Sequence, residues 1–212
     1  DQHDGVPDWD YDGGRVQVSE KLHQSCVERF KHALQGDDPK DYIFVETGSW
    51  MGSGIISALD VGFKKIFSIE LSEKYWKICA ERFSKHDDVV CLWGDSSKVL
   101  PELIKNYDSK IFFHLDAHYD GGDTATSGEG VGFGNGCVLE HEFEAIKNHP
   151  IDDHILLVDD FRNILNGVMG VDYYKLTSMI KNINQNYEAY LLPKQFNEKS
   201  IVPDVLVCRC DL

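Results

Sequence analysis

Residues 42–54, YIFVETGSWMGSG, decide the fold. Tyr42-Ile43-Phe44-Val45 is a short continuous apolar run, the composition of a strand covered on both faces. It opens into Glu46-Thr47-Gly48-Ser49-Trp50-Met51-Gly52-Ser53-Gly54, and Ile55 to Val61 follows as a helix. Glycines in such a turn let the backbone approach a ligand and adopt positive φ, and the helix behind it presents its N-terminus to anionic groups. Taken alone, the same turn serves equally well as a plain tight connection.

The alternation continues outward from this unit. Strands are expected at Lys65–Ile69, Val89–Trp93, Ile111–Leu115 and His154–Val158, with helices at Ser72–Ser84, Val99–Asn106 and Cys137–Asn148 between them. Tyr187–Leu192 and Asp204–Cys210 read as two closing strands. Upstream, Ser19 caps a helix to about Gln35, with Leu22, Cys26, Phe30 and Ala33 on one face and Gly36-Asp37-Asp38-Pro39 ending it. Asp1 to Arg15 is Asp- and Gly-rich and reads as an arm. The expected fold class is α/β: a Rossmann-like, seven-stranded, mostly parallel sheet with helices on both faces and the last strand antiparallel. Residues 1–38 form the arm and helix, and 39–212 form one compact domain.

Parallel sheets of this kind hold ligands at the carboxyl ends of their strands, so chemistry is sought there. The second strand exits at Glu70, 24 positions after Glu46, where an acid suits the two hydroxyls of a ribose. The third exits into Gly94-Asp95-Ser96-Ser97, which offers an adenine-binding edge and also a helix cap. The fourth exits into His114-Leu115-Asp116-Ala117-His118, the fifth into Val158-Asp159-Asp160. Asp116, Asp159 and Asp160 thus converge, and three carboxylates without a cation repel one another. A hard divalent ion, Mg²⁺ by default, relieves that repulsion, whereas helix capping by one or two of them is the simpler alternative. His118 is open as a general base, a further ligand or neither. Asp120 to Gly136 carries seven glycines and reads either as a surface loop or as a lid beside Asp116.

Composition closes off other functions. The 212 residues hold 36 acidic against 21 basic side chains, a formal charge of -15, which disfavours binding to nucleic acid through its phosphates. No apolar run approaches a membrane span and no signal-peptide core appears, so a cytoplasmic protein with no membrane partner is expected. The six cysteines lack metal-binding spacing and read as reduced structural thiols. The chain begins at Asp1, so a domain of a larger chain is one reading; a homodimer is the common oligomeric case.

The order ETGSWMGSG, IFSIE, GDSS, FFHLDAHYD and ILLVDDFRNILNG resembles class I S-adenosylmethionine-dependent methyltransferases. It is similar in particular to the metal-dependent O-methyltransferases, both the caffeoyl-CoA/catechol type and the macrocin-type sugar enzymes. The resemblance spans about residues 40–165. It implies S-adenosyl-L-methionine as cofactor, with Glu46, Gly48 and the Ser53 region at its methionine end, Glu70 on the ribose, and Asp95 with Ser96 on the adenine. It further implies Asp116 and Asp159 as metal carboxylates, with Asp116 near the cofactor as well. Asp160 stands where the sugar branch has Asp and the catechol branch Asn, which points to a sugar hydroxyl on a small-molecule or carbohydrate acceptor. Trp50 stands where many class members have glycine, but the caffeoyl-CoA branch also places an aromatic there, and His118 occupies the neighbourhood where the family has a basic residue. The implied catalytic residues are His118 and Asp116, aligning a hydroxyl and removing its proton.

Two other enzyme classes share parts of this pattern. Thr47-Gly48 through Gly54 also fits the turn of short-chain dehydrogenases, and Tyr190 to Lys194 has their Tyr-xxx-Lys spacing, though within an expected strand and with Pro193 inside it. A glycosyltransferase could use the acids to hold a nucleotide-sugar metal, but the glycine turn would then lack a purpose. A binding module that has lost its chemistry is the non-enzymatic alternative, and intact Glu46, Glu70, Asp116 and Asp159 argue against it.

Overall fold

Three five-residue strands are buried along their whole length: β1 (Ile43–Thr47), β2 (Ile66–Glu70) and β4 (Ile111–Leu115). The four residues of β5 (Ile155–Val158) are buried likewise. Such strands need cover on both faces, and helices supply it. Alternating with them are α2 (Ser53–Val61), α3 (Glu73–Arg82), α4 (Ser96–Ile104) and α5 (Val138–Lys147), preceded by α1 (Glu20–Leu34). β3 (Val89–Trp93) is the half-exposed edge, and α6 (Phe161–Leu165), α7 (Tyr173–Ile183), β6 (Glu188–Asn197) and β7 (Ser200–Arg209) complete the chain. This computed structural model describes residues 20–117, 138–166, 171–197 and 200–210. The N-terminal arm and the segment 120–136 lie outside them.

The strand order is β3-β2-β1-β4-β5-β7-β6, with β7 running antiparallel to both of its neighbours and the others parallel. From β1 the chain first builds towards β3 and then returns to place β4 on the other side. The switch point therefore falls between β1 and β4, where a crevice opens at the carboxyl ends.

Side chains alternate along each strand, so each face has its own core. On one face Val45, Phe113, Leu115 and Val158 pack against Leu100 of α4, Phe143 of α5 and Leu176 and Ile180 of α7. On the other, Phe44, Ile66, Phe112 and Leu157 pack against Phe30 and Ala33 of α1 and Ile55 and Ala58 of α2. The Phe30 ring meets those of Phe44 and Phe112 at centroid distances of 5.3 and 5.4 Å. Arg209, buried on β7, donates from Nη1 to the carbonyls of Ala33 and Leu34 and from Nη2 to Asp37, closing the C-terminal end of α1.

The sequence reading differs from the structure in two places. It contained no helix between residues 161 and 186, where α6 and α7 form. It also ended the sixth strand at Leu192, whereas β6 and β7 pair through Pro193–Pro203 out to Asn197–Ser200, with register shifts. Among the described residues no helix is long and apolar enough to cross a membrane.

Candidate active site at the carboxyl ends of the strands

The turn after β1 is shaped by close approach. Gly48 has φ 87°, and a Cβ there would lie 2.6 Å from the Asp116 carbonyl oxygen, so β1 and β4 exit in contact. Gly52 (φ 85°) leads into α2. Trp50, between them, also takes the left-handed conformation, φ 42°, a region that favours glycine. Its N–H donates to Glu70 Oε2 at 2.8 Å, and the Ser72 N–H donates to Glu70 Oε1 at 2.7 Å. Burial raises the Glu70 carboxyl above its usual range, partly offset by these N–H groups and by that of Ser49. Glu70 thus anchors the turn.

Glu46 is buried on the neighbouring strand β1. Its Oε2 accepts from Ser68 Oγ at 2.6 Å, and Ser68 in turn bonds Ser49 at 2.5 Å. Its Oε1 lies 3.1 Å from His114 Nδ1, and the Nε2 of the same ring lies 3.8 Å from Asp159 Oδ2. One ligand atom each from His114, Asp116 and Asp159 falls within 4.8 Å of the others. Burial of His114 favours its neutral form, but Asp159, Glu46 and the charge of Asp116 outweigh this and push its pKa well above the usual value. The donor chemistry of this trio fits a divalent cation, whose positive charge would meet the demand of the carboxylates. Asp160 is not one of the trio. It adopts φ 51° at the start of α6, and its N–H donates to Asp159 Oδ1 at 2.8 Å.

A second buried polar group lies on the α4/α5 side. Asp95 caps α4, its Oδ1 accepting from the Ser97 N–H and hydroxyl. Its Oδ2 has no hydrogen bond and stands 3.9 Å from Lys98 Nζ. Glu142 of α5 is 1% exposed, and burial raises its pKa to about 7; the hydroxyls of Ser96 and Thr47 oppose the shift, and Asp95 and Asp116 add to it. Its Oε1 and Thr47 Oγ1 lack hydrogen-bond partners of good geometry. A cluster of unmet acceptors at a strand exit is a place where a ligand's N–H groups are welcome.

Glu46, Gly48, Glu70, Asp95, Ser96, Asp116, Asp159 and Asp160 therefore all sit at the carboxyl ends of the strands, and Ser53 opens α2 beside them. His118 lies outside the described residues. His114, Ser68, Thr47 and Glu142 were not assigned roles from sequence. Strand alternation could have found the first two, since positions 46, 68, 114 and 116 share a face. Tyr190 and Lys194 both fall on β6, not on a helix as a dehydrogenase pair requires.

No protein-family model matches the sequence, nor does any curated protein. Solved structures do share its architecture at low identity. An O-methyltransferase from Bacillus cereus in complex with SAH superposes with a TM-score of 0.56 at 13% identity, covering 91% of this chain and 81% of that one. TomG from Streptomyces achromogenes, an O-methyltransferase involved in tomaymycin synthesis, in complex with SAM, gives 0.52 at 13% identity, with 91% and 90% covered. Spermidine synthase from Thermotoga maritima gives 0.57 at 12% identity over 92% of this chain and 62% of its own, so the architecture hosts more than one chemistry. Strand order, switch point and these superpositions agree: the chain has the fold of the class I S-adenosylmethionine-dependent methyltransferases.

Proposed function

We propose that this protein is an S-adenosylmethionine-dependent O-methyltransferase that uses a divalent cation and acts on a hydroxyl of a small molecule or glycan, most readily a sugar. The observation that carries this reading is the arrival of Glu46, Glu70, Asp116 and Asp159, from four different strands, around one glycine turn. The cofactor would supply a methyl already activated on a sulfonium, and the cation would lower the pKa of a bound hydroxyl. The protein's own task is positioning and proton removal. Gly48 and Gly52 let the turn pack closely against the β4 exit and Phe83, and Glu70 offers its carboxylate to ribose hydroxyls. Asp95, Ser96 and the unmet acceptors beside them suit an adenine amine. Asp116 and Asp159, with Asp160 adjacent, would hold the cation, and His118, two positions after Asp116, is assigned to proton acceptance.

The acceptor side favours a saccharide. Phe161, directly after Asp160, is buried, and its ring lies 6.4 Å from that of the half-exposed Tyr173; Tyr174 beside Tyr173 is 82% exposed, so these two tyrosines offer the aromatic faces. Aromatic faces next to carboxylates combine a surface for sugar C–H groups with acceptors for hydroxyls. The free thiols of Cys26, Cys79, Cys91, Cys208 and Cys210 suit a reducing compartment.

Thermal unfolding with S-adenosylhomocysteine or NAD tests the cofactor, because a ligand that binds only the folded state raises Tm. S-adenosylhomocysteine should raise it and NAD should not. Asp159→Ala should keep that shift while losing at least 100-fold in methyl transfer to sugar acceptors. Turnover that survives exhaustive chelation would refute the cation.

A further inference from the structure

We propose that His114 is itself a ligand of the cation through Nε2, held in place by Glu46, and that the site therefore prefers a first-row transition ion such as Mn²⁺ or Co²⁺ to Mg²⁺. This rests on the cation reading above and adds the third donor and the class of ion.

The ring is fixed from both ends. When the cation displaces the proton on Nε2, His114 keeps the one on Nδ1 and donates it to Glu46 Oε1 at 3.1 Å, with the Nε2 lone pair on the side of Asp159. A metal-bound imidazole characteristically donates its other N–H to a carboxylate, which sets ring orientation and raises nitrogen basicity. Glu46 is well placed for that service. Ser68 Oγ holds its other oxygen at 2.6 Å, and a Cβ at Gly54 would meet Oε1 at 1.6 Å, so the carboxylate fills a slot against α2. The Phe30 ring stands edge-on to the imidazole at 5.2 Å and Phe44 at 6.4 Å, leaving little room to turn.

The spacing suits coordination. Ligand atoms about 2.0–2.2 Å from one ion lie about 3–4 Å from each other. One atom each from His114, Asp116 and Asp159 already falls within 4.8 Å, so small side-chain rotations close the set. The neighbouring acid, Asp160, is tied through its N–H to Asp159 and supports the trio from outside. An imidazole nitrogen among carboxylates shifts preference away from Mg²⁺, which favours oxygen and water, towards later first-row ions.

Metal-free protein titrated with Mn²⁺ alone, and read by pulsed electron paramagnetic resonance, tests this without any turnover. Mn²⁺ bound to the wild type should show ¹⁴N coupling from a directly bound imidazole. The coupling should persist in His118→Gln and vanish in His114→Gln, which should also narrow the Co²⁺-over-Mg²⁺ preference at least tenfold. Glu46→Gln should weaken Mn²⁺ binding by about 10–100-fold with the coupling retained. Should His114→Gln fail to fold, the wild-type and His118→Gln spectra still decide. Mn²⁺ bound without ¹⁴N coupling, or coupling lost in His118→Gln, overturns the role of His114 and leaves the cation in place. If no ion binds, both readings fall.

Discussion

At Gly54 the third glycine of the turn is required by a side chain from a neighbouring element. A methyl group there would sit 1.6 Å from Glu46 Oε1 and 2.7 Å from its carboxyl carbon. Those are backbone-anchored positions on α2 pressing on a buried carboxylate, so the carboxylate must leave. Gly54→Ala should therefore break the Ser68 and His114 contacts together and cost about 3 kcal/mol, read from urea unfolding of the metal-free protein. Serine at position 68 has the same logic: its hydroxyl links Glu46 to Ser49, joining the strand to the turn. Trp50 illustrates the opposite case. A bulky residue at φ 42° stores backbone strain, and the Glu70 carboxylate on its N–H is what holds it there.

Among the elements, α1 is tied at its C-terminal end to a residue distant in sequence. The Ala33 carbonyl in its last turn is met by Arg209 on β7, whose buried guanidinium also reaches the Leu34 carbonyl, itself bonded by the Asp37 N–H, and the Asp37 carboxylate. Arg209→Ala should cost about 3 kcal/mol, and hydrogen exchange should show protection lost first in α1 while β1, β4 and β5 keep theirs. Unchanged exchange in α1 would show that Phe30 and Ala33 hold the helix unaided. The same elements show what the sequence could disclose. Short apolar runs identify the four central strands because both faces are buried, with Ser68 and His114 as the polar interruptions that belong to the site. Helix α7 carries its signal in the sequence: Asp172 caps it through the Lys175 N–H, and Leu176, Ile180 and Ile183 repeat at helical spacing into the core. The far halves of β6 and β7 were obscured by Pro193 and Pro203, which face each other where the ladder shifts register. For the site, acids at strand exits were legible because topology alone gathers them. His114 was legible only through strand alternation, which puts it on the face of Glu46 and Asp116, and Glu142 not at all, since its role arises from contacts between elements distant in sequence.

Across the whole molecule, two buried groups at opposite ends of the sheet tilt stability in opposite directions with pH. His154, before β5, accepts the Ile111 N–H at Nδ1 and lies 3.1 Å from His149 Nδ1 through its Nε2. Burial, reinforced by His149, lowers its pKa from 6.5 to about 3. The unfolded chain takes up this proton near pH 6.5 and the native chain does not, so the stability involved is complete above 6.5 and drains as pH falls towards 3. Glu142 behaves inversely, with burial raising its pKa from 4.5 to about 7. Its contribution is complete below pH 4.5 and drains as pH rises through 7. The two slopes oppose each other between pH 4.5 and 6.5, and these groups together leave stability nearly level there. Glu142→Gln keeps the shape of the neutral acid and cannot ionise. Its stability relative to wild type should therefore grow from pH 4.5 upward, reaching roughly 2–3 kcal/mol by pH 8. Urea midpoints of both proteins across pH 4–8, with chelator present, measure that difference directly. A gap that stays constant with pH would mean the carboxyl is already ionised in the native protein. The unmet acceptors around Thr47 and Asp95 would then be facing a charge instead of a neutral acid.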